Sequence, residues 1–339
     1  MADTRAEMKA WLDQVIEPII DPERAIIDPH HHLWERPGMS PYMLEDLWGD
    51  TSSGHNITQT IFMECGSSYR EGGPEHLKCV GETEFVVKVA EESTRRAAQG
   101  HPEIAAIVGA ADLRLEGDVL DEVLDAQVEA GKGRFRGIRH ALACAPEGEP
   151  MMIAGRAPKG LSEDAGFRAG VKRLGARGMT YDSWHYHFQN REFAALARAC
   201  PDTSMVIDHF GTPIGVGSFA EKRDEIFAAW QDDIAEVAAC ENVTAKVGGL
   251  AMPDNGFGWM GRAVPPTSDE LVEAQGRYYT HIIECFGPQR CMFESNFPVD
   301  KMSLSYQVYW NGMKKIAADF SEDEKTAMFS GTAARIYGV

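Results

Sequence analysis

Short apolar runs recur along the chain, and between them lie longer stretches in which apolar positions repeat at helical spacing. The first run, Ile26-Ile27, leads into Asp28-Pro29-His30-His31-His32-Leu33-Trp34, and others fall at 58–65, 103–113, 136–142, 178–184, 203–209, 242–250 and 289–297. Together they predict eight strands. The segments 82–99, 120–130, 162–174, 192–198, 221–240 and 269–286 carry the helical pattern, and a last helix opens at Ser321, where Glu324 three residues later makes a capping-box signature. Strands that alternate with helices favour a parallel sheet with right-handed crossovers, and eight such units favour closure into an α/β (β/α)8 TIM barrel. An open doubly wound sheet is the alternative, but no Gly-x-Gly-x-x-Gly follows the first strand.

Upstream of the first strand, Met8, Trp11, Leu12, Val15, Ile16 and Ile19 lie at helical spacing and predict an amphipathic helix over 6–20 that packs on the body. No internal repeat or low-complexity linker divides the rest, so the reading is one domain over 1–339 with 1–24 as an N-terminal helical extension. The loop after the first strand carries Pro37, Gly38, Pro41, Tyr42 and Trp48, and is long enough to form a pocket wall.

Composition narrows the function more than the fold. A net charge of −19 without a basic run argues against a nucleic-acid surface, whose affinity comes mainly from Lys and Arg contacts to phosphate. Seven single, irregularly spaced cysteines form neither a zinc-ribbon nor a disulfide pattern, and they predict reduced thiols in a cytoplasmic protein. The N-terminal stretch is too charged for a signal peptide or membrane span, so no membrane partner is expected.

In a parallel barrel the reactive groups sit where the strands end. Those ends carry His30 and His32, then Glu64, Asp112, Arg139 with His140, the stretch 181–187 with Tyr181, His185 and His187, Asp208-His209, Lys246, and Glu294-Ser295-Asn296. Strand alternation gives His30 and His32 a common face and turns His31 away, which makes a His-x-His pair. So many imidazoles and charges at strand ends exceed what loop solvation requires, and they predict a catalytic site.

Five ordered stretches resemble the amidohydrolase superfamily, in the branch that includes sugar lactonases and 2-pyrone-4,6-dicarboxylate lactonase. They are Asp28-Pro29-His30-His31-His32-Leu33-Trp34, Phe135-Arg136-Gly137-Ile138-Arg139-His140, Ile207-Asp208-His209-Phe210-Gly211, Lys246-Val247-Gly248-Gly249-Leu250 and Met292-Phe293-Glu294-Ser295-Asn296-Phe297-Pro298-Val299. The resemblance implies that His30, His32 and His209 face the site. There they would hold a divalent metal, zinc first among them, or contact a carbonyl oxygen without metal. The departure is Asn296, where the family has an aspartate; a neutral amide neither ligates metal nor accepts a proton well. Glu294, Asp300 and Glu64 are the carboxylates that could replace it, although Glu294 could equally be structural, paired with Arg139 or Lys246.

The function expected is a hydrolase that opens a lactone or related cyclic ester of a small, carboxylated compound by water attack. His30, His32, His209, Glu294 and Asn296 would be catalytic, and Arg139, Lys246, Glu64, Tyr181 and His185 would bind substrate. Arg139 and Lys246 supply the positive charge for an anionic substrate, with internal pairing as the blander alternative. A non-oxidative decarboxylase of the same superfamily and a non-catalytic ligand-binding barrel are the other readings. A homo-oligomer is left open.

Overall fold

In the computed structural model, which describes residues 4–36, 40–96 and 99–339, the apolar runs form one sheet of eight parallel strands in chain order. They are β1 (Ile26–His31), β2 (Ile57–Met63), β3 (Glu103–Gly109), β4 (Phe135–Arg139), β5 (Thr180–Ser183), β6 (Met205–Ile207), β7 (Val243–Gly248) and β8 (Cys291–Glu294). Each strand pairs with the next. The eighth interface is slighter, with a single bridge between His31 and Phe297, and the His32 N–H donates to the Phe297 carbonyl at 2.8 Å. Side chains reinforce this seam, because Asp28 accepts both the backbone N–H (3.0 Å) and the hydroxyl (2.5 Å) of Ser295.

The helices, in chain order, are α1 (Thr4–Leu12), α2 (Leu44–Thr51), α3 (Val80–Arg95), α4 (Gly117–Gly131), α5 (Ala165–Ala176), α6 (Asn190–Ala199), α7 (Arg223–Ala238), α8 (Ser268–Phe286), α9 (Tyr306–Ile316), α10 (Glu322–Thr326) and α11 (Thr332–Tyr337). The main core lies between barrel and helices, where Trp230, Tyr278, Tyr279, Phe293 and Trp310 are buried. Among the described residues, no helix is long and apolar enough to cross a membrane. The seven cysteines are free thiols.

Alternate strand residues point into the barrel. Its floor is apolar, with Ile27, Ile61, Met63, Ala106, Val108, Val206 and Met292 in one buried cluster that Ala333 and Tyr337 of α11 close from below. Two residues further along β6 and β8 the same face carries Asp208 and Glu294, and β5 and β7 contribute Asp182 and Lys246, all without solvent exposure. The barrel therefore changes from apolar to charged along its own axis.

Two features differ from the expectation. The first helix stops at Leu12 and not at 20; Pro18 bars a helix from reaching 20, and the chain from Glu17 to Ile20 is captured instead by α8 and α9. Glu17 accepts the Ser268 N–H at 2.7 Å and an Asn311 Nδ2–H at 3.0 Å, while Asn311 Oδ1 accepts the Ile20 N–H at 3.0 Å. In the other, α2 and α9 emerge from stretches with no clear helical signal. α9 is rich in aromatics and is stabilised by its almost complete burial and by the Ser305 cap, as tertiary packing overrides weak propensity. Pro37 and Gly38 of the expected pocket wall lie outside the described residues.

Candidate active site

At the C-terminal end of β1 the backbone brings His30 and His32 to one side, with ring centroids 4.9 Å apart, while His31 turns to pack edge-on against Phe62. His209 comes from the turn after β6, where it adopts a left-handed backbone conformation (φ 54°), and its ring centroid lies 4.5 Å from that of His30. Glu294, the last residue of β8, lies between the two. Its Oε1 is 2.7 Å from His209 Nδ1 and 3.2 Å from the His209 N–H, and its Oε2 is 2.7 Å from His30 Nδ1, out of line for a hydrogen bond.

These contacts assign the tautomers. A carboxylate accepts and does not donate, so Nδ1 of His209 carries a proton to Glu294, and Nδ1 of His30, 2.7 Å from the other carboxylate oxygen without a hydrogen bond, is assigned its proton by the adjacent charge. His32 Nδ1 lies 2.9 Å from the Met63 carbonyl and must donate to it. The lone pairs of His30 and His32 are then both on Nε2, and those atoms face each other at 3.3 Å. Arg139 NH1 stands 3.3 Å from His30 Nε2 and supplies positive charge there.

Burial drives the pKa of His30 and His32 well down, with the positive charges of Lys246 and Arg139 next in effect respectively, so both are neutral. His209 goes the other way. Burial opposes its charged form, but the adjacent Glu294 and Asp208 outweigh burial and raise its pKa. One site thus holds two neutral imidazoles beside one that favours the imidazolium.

Arg139 and Lys246 are both embedded in carboxylates. Arg139 Nε donates to Glu64 Oε1 at 2.7 Å, its NH2 to the Glu64 carbonyl, and its NH1 reaches Asp208 Oδ2 at 3.4 Å. Lys246 Nζ donates to Asp182 Oδ2 at 3.0 Å and lies 3.4 Å from Asp208 Oδ1. Asp182 also accepts the Tyr337 hydroxyl and the Thr180 hydroxyl (2.9 Å). The chain of alternating charges from Glu64 through Arg139, Asp208 and Lys246 to Asp182 runs from the mouth of the barrel to its floor.

Asn296 leaves the strand alternation at a left-handed φ of 56°, so it does not continue the face of Glu294. Its Nδ2 donates to Asp300 Oδ1 at 2.9 Å, and Asp300 Oδ2 accepts the Ala251 N–H at 3.1 Å. Burial pushes the Asp300 carboxyl up to about 7, against the nearby charge of His209.

Tyr181 and His185 are not brought into this group. The Tyr181 ring points outward onto Phe167 and its hydroxyl donates to the His140 carbonyl at 2.9 Å. His185 is spent between Ser183 Oγ (2.9 Å) and Asn190 Oδ1 (3.1 Å). Reasoning from sequence passed over Asp182, although a carboxylate in the middle of a predicted barrel strand was a signal for it. It also passed over Glu82 of α3, whose helical position gave no signal; its Oε1 accepts the N–H groups of Cys65 (3.1 Å) and Ser67 (2.7 Å) and so fixes the loop behind Glu64.

The donors fit a divalent metal in two ways. Two nitrogens bound to tetrahedral zinc at about 2.0–2.1 Å stand about 3.3–3.4 Å apart, which matches the His30 and His32 Nε2 pair, and His32 has its other nitrogen held by the Met63 carbonyl as metal ligands usually do. Ligand atoms of His30, His209 and Glu294 also converge within 4.8 Å of one another.

The Amidohydrolase family model matches residues 27–339. An uncharacterised protein, y4mH, of Sinorhizobium fredii is 31% identical over 93% of this chain and 99% of its own length. The L-fucono-1,5-lactonase of Burkholderia multivorans is 27% identical over 76% of this chain and 77% of its own. Among solved structures, an amidohydrolase from Burkholderia multivorans with bound zinc superposes with a TM-score of 0.70 at 25% identity, covering 93% of this chain and 99% of that one. With that match over residues 27–339 and a relative 31% identical across 93% of its length, the chain belongs to the amidohydrolase superfamily.

Proposed function

We propose that the protein is a hydrolase that opens a lactone or related cyclic ester by attack of water on the carbonyl. The observation that carries the reading is the arrangement of one cluster, in which His30 and His32 bring their Nε2 atoms to 3.3 Å while the Glu294 carboxylate, 2.7 Å from His209 Nδ1, favours the cation of that ring. Lactone hydrolysis needs both halves, a group that activates water and a group that stabilises the oxyanion and protonates the leaving oxygen. The similarity to an L-fucono-1,5-lactonase supports the same reaction class.

His209, with Nδ1 committed to Glu294, offers Nε2–H to the carbonyl oxygen as charge develops, and then to the departing ring oxygen. His30 and His32, with Glu294 completing the set, would hold a zinc ion, which when bound lowers the pKa of water and polarises the carbonyl. Arg139 keeps His30 Nε2 oriented and adds positive charge beside it. Asn296 holds Asp300 through its amide, and Asp300, poised near neutrality by burial, accepts the proton that water loses. Atoms balance as water adds across the ester carbon–oxygen bond and the product is a hydroxy acid.

The test is turnover of a lactone panel, followed as acid release, by the wild type and by folded His209→Ala. Lactone hydrolysis that His209→Ala abolishes is the expected result. Turnover unchanged by the substitution, or release of carbon dioxide without incorporation of water, overturns it.

A further inference from the structure

We propose that Glu64 is a specificity-determining residue, which by occupying Arg139 turns carboxylate-bearing lactones away and leaves the site to uncharged, hydroxyl-bearing ones. The proposal rests on the lactonase reading above and deepens it to a substrate class, against the anionic substrate that the sequence suggests.

A guanidinium has five N–H donors and recognises a carboxylate through two of them in parallel. In Arg139, Nε is held by the Glu64 carboxylate at 2.7 Å and NH2 by the carbonyl of the same residue, while NH1 serves Asp208 at 3.4 Å and His30 Nε2 at 3.3 Å. No parallel pair is left for a substrate. Lys246, the other cation of the cluster, is fully buried between Asp182 and Asp208 at the depth of the barrel. An incoming carboxylate would therefore meet Glu64, Asp208 and Glu294 with Arg139, Lys246 and the His209 ring each already engaged by a carboxylate.

Glu64 is also where a ligand would first arrive. Its side chain is 17% accessible, against 8% for Arg139 and none for Asp208. It is preorganised, because buried Glu82 holds the N–H groups of the following residues Cys65 and Ser67 and Arg36 donates to the Cys65 carbonyl. A fixed carboxylate at the entrance repels anions and accepts hydrogen bonds from hydroxyl groups, which makes it both the barrier and the attraction.

The experiment compares D-glucono-1,4-lactone with D-glucaro-1,4-lactone, a matched pair that differs by one carboxylate, on the wild type, Glu64→Gln and Glu64→Ala. Binding of D-glucarate to the three proteins is followed by calorimetry. The wild type is expected to favour the neutral lactone in kcat/KM by about tenfold or more. Glu64→Ala should erase that preference through a lower KM for the carboxylated lactone and bind D-glucarate about tenfold more tightly, with Glu64→Gln between. A wild type that prefers the carboxylated lactone, or a preference and D-glucarate affinity equal in all three folded proteins, overturns the proposal. If the wild type turns over neither lactone, the lactonase reading is decided by the lactone panel while the D-glucarate arm still decides the role of Glu64, since unchanged affinity overturns it.

Discussion

Glu294 Oε1 accepts from both the Nδ1 edge and the backbone N–H of His209, at 2.7 and 3.2 Å, so one carboxylate oxygen fixes the position, tautomer and charge of one imidazole. Glu294→Gln keeps an acceptor and removes the charge. It is expected to lower kcat about 10²-fold or more and to move the alkaline limb of the pH–rate profile to lower pH, because His209 loses the partner that raises its pKa. An unmoved limb would show that His209 is not the acid.

Metal binding is the second prediction. The purified protein should hold close to one divalent ion per chain by elemental analysis, and His32→Ala, which removes a ligand outright, should weaken zinc in a competition titration by at least the roughly 100-fold that loss of an outer-shell partner can cost. His185→Ala is the control, since that ring is spent on Ser183 and Asn190, and it should leave zinc affinity unchanged. Equal zinc affinity in His32→Ala and wild type would remove the facing Nε2 pair as the ligand set.

Lys246 is expected to matter for stability first. Lys246→Met leaves Asp182 and Asp208 buried without their shared cation, and removal of one partner from a buried pair costs about 3–5 kcal/mol. Tyr337→Phe removes a single hydrogen bond to Asp182 and should cost less, about 1.5–3 kcal/mol. Urea unfolding measures both, and a neutral Lys246→Met would mean that the lysine is not needed by its carboxylates.

Glu82 predicts an unusual pH dependence. Burial first, and then the charge of Glu64, push its carboxyl up to about 8 from the ordinary 4.5. The folded state therefore binds the proton more tightly than the unfolded chain, so this contribution is fully present below about 4.5 and is lost as pH rises toward 8. Glu82→Gln keeps the acceptor for Cys65 and Ser67 and should flatten the stability curve across that window. Parallel wild-type and variant curves between pH 4.5 and 8 would contradict it.

The barrel was legible because the strands recur at the spacing that eight βα units require; six lie within the stretches expected, and β2 and β4 each begin one residue earlier. The His30 and His32 pair was legible for the same reason, since period-two alternation survives the irregular register of β1. Partnership was legible only in part. Internal pairing of Arg139 and Lys246 with a carboxylate was the alternative reading, and Arg139 does pair with Glu64, but Lys246 meets Asp182 and Asp208 instead, because which carboxylate meets which cation depends on strand stagger. Tyr181 failed for a simpler reason, because the inward face of β5 belongs to Asp182 and its neighbour must point out. Asn296 escaped the alternation because the strand ends two residues earlier and the backbone turns left-handed.

The slight seam between the first and last strands has a consequence for motion. Seven barrel interfaces are ladders, whereas the eighth has one bridge and the Asp28–Ser295 side-chain bonds. Local opening takes the route with the fewest hydrogen bonds to break, so the amides of His32 and Ser295 should exchange with solvent sooner than those at the centres of β3 or β7. His30 and Glu294 lie on opposite sides of that seam, and any molecule that engages both would act as the missing rungs of the ladder.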